Sequence, residues 1–167
     1  IEELRLLARS VFVIDKNDKV TYVEYVPEVT DHPNYEKALE AAKEAAVRAG
    51  EAILKIYQQT DDIEVEYKSD SSPLTQADKA ANTIIVKTLR EKFPLYAILS
   101  EEEKDNPDRL NQDFCFIVDP LDGTKEFLKR NGQFTVNIAL AYRHRAVMGV
   151  IYVPVTGELY FAAEGFG

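Results

Sequence analysis

The stretch TDHPNYEKALEAAKEAAVRAGEAILKIYQQ, residues 30–59, is the feature that most limits what this chain can fold into. Apolar side chains recur in it at helical spacing: Tyr35, Leu39, Ala42, Ala46, Ala49, Ile53 and Ile56 or Tyr57. Thr30 to Asn34 provide start signals, so the pattern predicts one long helix. Gly50 lies inside it, where glycine costs about 1 kcal/mol relative to alanine. We therefore expect Gly50 to mark a place where this helix packs closely against another element.

Runs of β-branched and aromatic residues predict strands on both sides of this helix. RSVFVIDKNDKVTYVEYV indicates a β-hairpin that turns at Lys16 to Lys19, and IEVEYK indicates a short strand. The polar loop SDSSPLT precedes a second helix, predicted from Gln76 to Lys92 with Ala80, Ile84, Ile85 and Leu89 facing inward. The remaining predicted strands are YAILS, FCFIVD, QFTVNIALAY, AVMGVIYVPV and ELYFAAE. This order predicts a layered α+β fold with a mostly antiparallel sheet, two long helices and an N-terminal β-hairpin.

The charge and the apolar content limit the partners that the chain could bind. A net charge of -9 over 167 residues argues against nucleic-acid and anionic-membrane surfaces, which need a basic face. No apolar run approaches the roughly 20 residues of a membrane span, and no signal peptide is recognisable. The one cysteine, Cys115, lies in the apolar run FCFIV and suits a reducing compartment. We expect a cytoplasmic protein with a buried, unreactive thiol.

Acidic residues stand at the ends of predicted strands, where they could form a metal site. Glu101 follows YAILS, Asp119 and Asp122 flank Pro120 and Leu121 in VDPLDGT, and Asp78 opens the second helix. Hard cations such as Mg²⁺ need several oxygen ligands, and the two carboxylates with the Leu121 carbonyl oxygen could supply them. The N–H groups after them, at Gly123 and Thr124, suit a bound phosphate.

Each of these features has an ordinary structural explanation when it is taken alone. Glu101 to Glu103 alone suits a solvated acidic loop, and Thr75-x-x-Asp78 alone suits a helix N-cap. DPLDGT alone suits a turn, because proline, aspartate and glycine all favour turns. Only the whole set, in this order, favours metal-assisted phosphate-ester hydrolysis.

The segments SDSSPLTQAD, LSEEE and VDPLDGTKEFLKRNGQFTVNIAL closely resemble the inositol-monophosphatase superfamily. Within it, KEF after DGT and the run KRNG resemble bacterial 3'(2'),5'-bisphosphate nucleotidases, and the resemblance extends over residues 45–167. The resemblance implies that Mg²⁺ is held by Glu101, Asp119, Asp122 and the Leu121 carbonyl. It also implies that Asp78, with Thr124, orients the attacking water, and that Gly123 and Thr124 bind the phosphate of 3'-phosphoadenosine 5'-phosphate.

Two departures from that family lead to a different main hypothesis. The family takes a further metal-binding aspartate from a Trp-Asp motif in its second half, whereas this sequence has no tryptophan and no aspartate after Asp122. In addition, LRLLARSVFVIDKNDKVTYVEYVPEVTDHPNYEKALEAAKE resembles the C-terminal end of bacterial thiol peroxidases, which are peroxiredoxins. We therefore expect residues 1–44 to be a peroxidase-like segment and residues 45–167 the first half of a Mg²⁺-dependent phosphatase domain. The two segments are expected to form one merged folding unit.

The expected function is that of an engineered chimera with little or no catalysis that retains part of a Mg²⁺ and phosphate site. The alternative is a Mg²⁺-dependent phosphomonoesterase that hydrolyses 3'-phosphoadenosine 5'-phosphate. A peroxidase is excluded, because Cys115 belongs to the phosphatase-like part. The expected partners are a nucleotide or phosphate ligand and, where apolar surface stays uncovered, a second copy in a homodimer or strand-swapped oligomer.

Overall fold

A computed structural model of the chain describes residues 9–14, 20–26, 35–59, 65–67 and 73–165. The chain divides into two compact units, Ile1–Asn34 and Tyr35–Gly167. Its strands are β1 (Arg9–Ile14), β2 (Val20–Val26), β3 (Val65–Tyr67), β4 (Pro73–Thr75), β5 (Ala97–Ser100), β6 (Phe114–Asp122), β7 (Thr135–Tyr142), β8 (Arg145–Val153) and β9 (Glu158–Ala163). Its helices are α1 (Tyr35–Tyr57), α2 (Gln76–Lys92) and α3 (Thr124–Leu128), with a 3-10 helix at Pro107–Asn111.

In the first unit, β1 and β2 pair in antiparallel fashion, from Arg9 opposite Val26 to Ile14 opposite Val20. The turn predicted at Lys16 to Lys19 lies outside the described residues. Beyond this pairing, the structure gives the predicted N-terminal hairpin no support. The division between residues 44 and 45 stays a prediction, and this position lies inside α1.

The second unit has an α+β architecture, with α1 and α2 packed on a five-stranded mixed sheet. The strand order is β5-β6-β7-β8-β9; β5 runs parallel to β6, and the other neighbours are antiparallel. The parallel pair matters for the site, because β5 ends at Ser100 opposite Val118 of β6. The residues that follow β5 therefore emerge beside the end of β6, as strand pairing in register requires.

The core lies between the two helices and one face of the sheet. Small side chains line α1, whose buried alanines leave room for larger groups from the sheet and from the segments beside it. These are Phe116, Val136, Ile138, Leu140 and Val150 in the strands, Phe127 in α3 and Phe134 just before β7. Gly50 lies where α1 passes β8, and a Cβ atom there would be 2.7 Å from Cδ1 of Tyr152. The expectation that Gly50 marks a close contact is confirmed.

The second helix has the predicted bounds but buries a different stripe. Ile85 and Leu89 are buried, whereas Ala80 and Ile84 are only half-buried. Asp78 and Asn82 point inward instead. Burying these polar side chains is tolerated because both have hydrogen-bond partners there. Periodicity of apolar residues could not predict these buried polar groups.

The structure has one strand before α2 that the sequence pattern does not predict. SDSSPLT was expected to be a loop, yet its last three residues form β4, with Pro73 opposite Tyr67 and Thr75 opposite Val65 of β3. A proline is tolerated as the first residue of a short edge strand, because its missing N–H is not needed for the pairing. None of the described helices is both long and apolar enough to cross a membrane.

Candidate metal and phosphate site

Asp119 and Asp122 lie at the end of β6, where the strand carries an irregularity. Asp119 is opposite Asn137 of β7, and Asp122 is opposite Thr135, so three steps along β6 match two steps along β7. Residues three apart in a regular strand point to opposite faces. The extra residue removes that alternation, as a β-bulge does, and it brings the Asp122 carboxylate to the side of the sheet that Asn137 occupies.

Glu101 is positioned by the parallel pairing of β5 with β6. Its backbone N–H donates to the Val118 carbonyl oxygen at 3.1 Å, which holds it beside the last residues of β6. The turn is also tied to α2, because Ser100 Oγ donates to Asn82 Oδ1 at 2.6 Å. Glu103 points elsewhere in the same turn: its side chain accepts from Arg90 at 2.9 Å. Among Glu101, Glu102 and Glu103, it is the negative charge of Glu101 that acts on Asp119.

The Asp119 carboxyl shows the electrostatic consequence of this arrangement. Burial, followed by the nearby negative charges of Glu101 and Asp122, raises the pKa of Asp119 to about 7. A hydrogen bond with Glu101 favours the protonated form further, while the Leu121 N–H, which donates to Asp119 Oδ1 at 3.2 Å, opposes it. Glu101 and Asp122 are therefore close enough for their negative charges to act on Asp119.

Asp78 lies at the N-terminus of α2 as a buried capping residue, only 1% exposed. Its Oδ2 accepts from the Thr75 backbone N–H at 2.7 Å and from Thr75 Oγ1 at 2.5 Å, and the Thr75 hydroxyl accepts from the Ala77 N–H. This reciprocal pattern is a capping box, and the N-cap that the sequence predicts is present. The remaining oxygen, Oδ1, is turned toward the DGT segment.

Thr124 connects that segment to Asp78. Its hydroxyl donates to Asp78 Oδ1 at 3.0 Å and lies 3.3 Å from the Leu121 carbonyl oxygen. Gly123, just before it, has φ of +94°, and a Cβ atom there would be 2.8 Å from the Gln133 carbonyl oxygen. Only glycine combines that backbone conformation with that close approach. The turn thereby places the Thr124 hydroxyl within hydrogen-bonding distance of the buried Asp78 side chain at the start of α2.

The predicted ligands are of the kind that Mg²⁺ prefers, but the structure does not gather them into a complete metal site. Glu101, Asp119, Asp122 and the Leu121 carbonyl offer only oxygen donors, which Mg²⁺ prefers. The raised pKa of Asp119 reports negative charge that a cation would offset. Among the described residues, however, no three acidic, histidine or cysteine side chains are gathered into a ready metal-binding group.

Comparison with known proteins places this arrangement in a family. Residues 34–167 match the Inositol monophosphatase family. The chain belongs to the inositol monophosphatase family.

Its relatives within the family include the 3'(2'),5'-bisphosphate nucleotidase CysQ of Salmonella typhimurium, which is 47% identical over 128 residues. That match covers 76% of this chain and 52% of the relative. The crystal structure of CysQ from Bacteroides thetaiotaomicron superposes with a TM-score of 0.70 at 50% identity, over 81% of this chain and 49% of the other. The extragenic suppressor protein suhB from Bartonella henselae gives a TM-score of 0.71 at 34% identity, over 78% and 50%. The chain thus spans about half the length of the relatives it matches.

The comparisons support only one of the two resemblances drawn from the sequence. The inositol-monophosphatase resemblance is confirmed, and the matched region begins at residue 34 rather than 45. No finding supports a peroxiredoxin segment in residues 1–44, and none supports a chimera. Homology to the phosphatases favours the alternative function over the expectation of an inactive hybrid.

Two features of the site were not foreseen from the sequence. Asn137 donates from Nδ2 to Asp122 Oδ2 at 3.2 Å, although nothing marked it within the apolar run FTVNIAL. The other is Arg130, just after α3, whose guanidinium donates to the backbone carbonyls of Tyr57 and Gln59 at the end of α1. Strand alternation alone puts residue 137 on the face opposite to Val136 and Ile138, but its alignment with Asp119 depends on the register between β6 and β7.

Proposed function

We propose that this chain carries the metal- and phosphate-binding half of a Mg²⁺-dependent phosphomonoesterase of the bisphosphate nucleotidase type. The observation that carries the proposal is the hydrogen bond from Thr124 to Asp78, two residues 46 positions apart. It joins the capped start of α2 to the turn that follows Asp119 and Asp122. The proposed water-orienting pair is thereby connected to the segment that carries Asp119 and Asp122.

In this proposal Glu101, Asp119, Asp122 and the Leu121 carbonyl would hold Mg²⁺. A bound Mg²⁺ lowers the pKa of water and stabilises a departing oxyanion. The same side chains repel one another in the absence of a cation, which supports an assignment as ligands over one as an ordinary turn. The Pro120 ring limits the freedom of the segment between the two aspartates, so less entropy is lost when it closes around an ion.

Asp78 and Thr124 would orient the attacking water. Both oxygens of Asp78 already accept hydrogen bonds, and its Oδ1 accepts the Thr124 proton. With its proton so directed, the Thr124 hydroxyl oxygen has lone pairs free to accept a hydrogen bond from water. The backbone N–H groups of Gly123 and Thr124 would donate to the phosphate.

The substrate follows from the relatives. Relatives that are 47% and 46% identical over 128 residues are named 3'(2'),5'-bisphosphate nucleotidases. We therefore assign 3'-phosphoadenosine 5'-phosphate as the substrate and Mg²⁺ as the cofactor. The negative net charge of the chain suits a protein whose anionic ligand is recruited by bound cations rather than by a basic surface.

Phosphate release from 3'-phosphoadenosine 5'-phosphate, with and without Mg²⁺, tests the proposal. Asp122→Ala removes a proposed ligand, and Asp113→Ala is the matched control, because Asp113 is a surface aspartate paired with Arg143 just before β6. We expect Mg²⁺-dependent release from the wild type and the control, and none above background from Asp122→Ala. Equal release from all three, or none from a folded wild type, would contradict the proposal.

A second copy of the chain is the partner that we propose for the exposed face of the sheet. Ile117, Ile151 and Tyr160 lie on that face with exposed fractions of 45%, 47% and 56%. Apolar surface of this kind favours association. Light scattering of the purified chain should give the mass of a dimer or larger oligomer, and Ile151→Lys should shift it to the monomer; a monomeric wild type would refute this.

A further inference from the structure

Within the described residues, the side chain of Asn137 makes one hydrogen bond, and its partner is the proposed metal ligand Asp122. Its Nδ2 donates to Asp122 Oδ2 at 3.2 Å, while its own Oδ1 is buried and has no hydrogen-bond partner. A buried amide oxygen without a partner is unfavourable for folding. The polar side chain is thus held in the sheet with one contact, and that contact is to Asp122.

The orientation of the Asp122 carboxylate depends on this one hydrogen bond, whereas Asp78 and Asp119 each take part in more than one. Asp78 accepts three hydrogen bonds. Asp119 accepts one from the Leu121 backbone N–H and, when protonated, donates another to Glu101. Within the described residues, the Asn137 amide is the one hydrogen-bond donor to the Asp122 carboxylate. Asp122 is also exposed, so solvent offers little restraint on its rotation.

We infer that Asn137 is a positioning residue for the metal site, fixing the Asp122 carboxylate on the side of the sheet where Asp119 lies. The backbone geometry supports this, because Asn137 is opposite Asp119 and the bulge in β6 brings Asp122 within its reach. The inference rests on the proposed function, since it takes Asp122 to be a ligand.

The uncharged amide suits that role better than a basic side chain. A lysine or arginine could also hold Asp122, but its positive charge would offset the negative charge that attracts a cation. Asparagine donates through one N–H and leaves the charge of Glu101, Asp119 and Asp122 intact. The second Asp122 oxygen, Oδ1, stays available for a metal ion.

Mn²⁺ titration followed by electron paramagnetic resonance tests the role, because it measures binding and the symmetry of the ligand field without requiring activity. Asn137→Leu removes the donor at similar volume, and Ala139→Leu places the same leucine side chain two residues along the same face of β7, away from Asp122. We expect Asn137→Leu to weaken Mn²⁺ binding by roughly tenfold and to alter the spectrum of the bound ion, with Ala139→Leu like the wild type.

Thermal melts without metal accompany the titration, and Asn137→Val replaces the leucine variant if that protein melts too early to be measured. Valine suits a strand and has no hydrogen-bond donor in its side chain. Binding and spectrum unchanged in a variant without the amide would overturn the positioning role while leaving the metal site intact. A folded wild type that binds no Mn²⁺ would overturn the proposed function itself, and the inference with it.

Discussion

Single residues decide how the charge at this site is held. The Asp78 side chain is buried, and Thr75 supplies two of the three hydrogen bonds that it accepts. We expect Thr75→Ala to lower the free energy of unfolding by about 1–2 kcal/mol, because it removes the hydroxyl from the N-cap of α2. Thr75→Ser keeps that hydroxyl and should stay close to the wild type. Urea denaturation measures both, and equal losses would show that the cap hydroxyl is not what matters.

Asp119 makes the stability of the metal-free chain depend on pH. Its pKa is about 7 in the folded chain, whereas an unfolded aspartate titrates near about 3.9. The folded state therefore binds this proton more tightly, so the contribution to stability is full below about pH 4 and is lost as the pH rises through about 7.

Urea denaturation of the metal-free protein between pH 5 and pH 8 checks this dependence. We expect the wild type to lose stability relative to Asp119→Asn as the pH rises, because asparagine cannot ionise. A difference between the two proteins that stays constant over this range would show that Asp119 titrates at its ordinary pH.

Substitutions at Thr124 test the proposed orientation of water apart from the proposed binding of metal, because the Thr124 side chain is not a proposed metal ligand. Thr124→Val removes the hydroxyl that lies between Asp78 and the proposed water at nearly constant volume. We expect it to lower the Mg²⁺-dependent rate of phosphate release by roughly 10²-fold. Thr124→Ser keeps the hydroxyl and should retain most of the rate. A valine variant as fast as the wild type would remove Thr124 from the mechanism.

Elements could be predicted from the sequence where one residue pattern controls them. The bounds of α2 followed from its cap and periodicity, and the strands after it followed from their β-branched runs. The bulge between Asp119 and Asp122 could not be predicted, because it depends on how β6 and β7 align across residues far apart in sequence. Asn137 was missed for the same reason. Its partners are defined by register and not by its neighbours in the chain.

The approach of α1 to β8 gives a prediction at the scale of elements. Gly50→Ala places a methyl group against the ring of Tyr152, which is packed in the core. We expect a loss of about 1–3 kcal/mol in the free energy of unfolding, because the helix and the strand must separate. Gly149→Ala is the control: it lies in β8 with no atom within 4 Å of the added carbon. Similar effects of the two substitutions would show that α1 and β8 are not closely packed.

The whole molecule shows how far motifs carry an assignment. The segments around Asp78, Glu101 and VDPLDGT identified the family, and the match over residues 34–167 confirmed it. The resemblance of residues 1–44 to the end of a thiol peroxidase carries no such motif, and no finding gives evidence for a peroxiredoxin segment there. Motifs that need particular atoms at particular places are specific. Patterns that need only apolar side chains at a given spacing recur in unrelated folds.

The proposed function depends on one assignment, that Glu101, Asp119 and Asp122 together bind Mg²⁺. Calorimetric titration of the folded chain with Mg²⁺ at pH 8, beside Asp119→Asn, measures that binding. We expect saturable binding by the wild type, weaker by roughly tenfold per pH unit as the pH falls below about 7, because one proton must leave Asp119. Asp119→Asn should bind much more weakly. Absence of binding at pH 8, or equal binding by the two proteins, would contradict the claim.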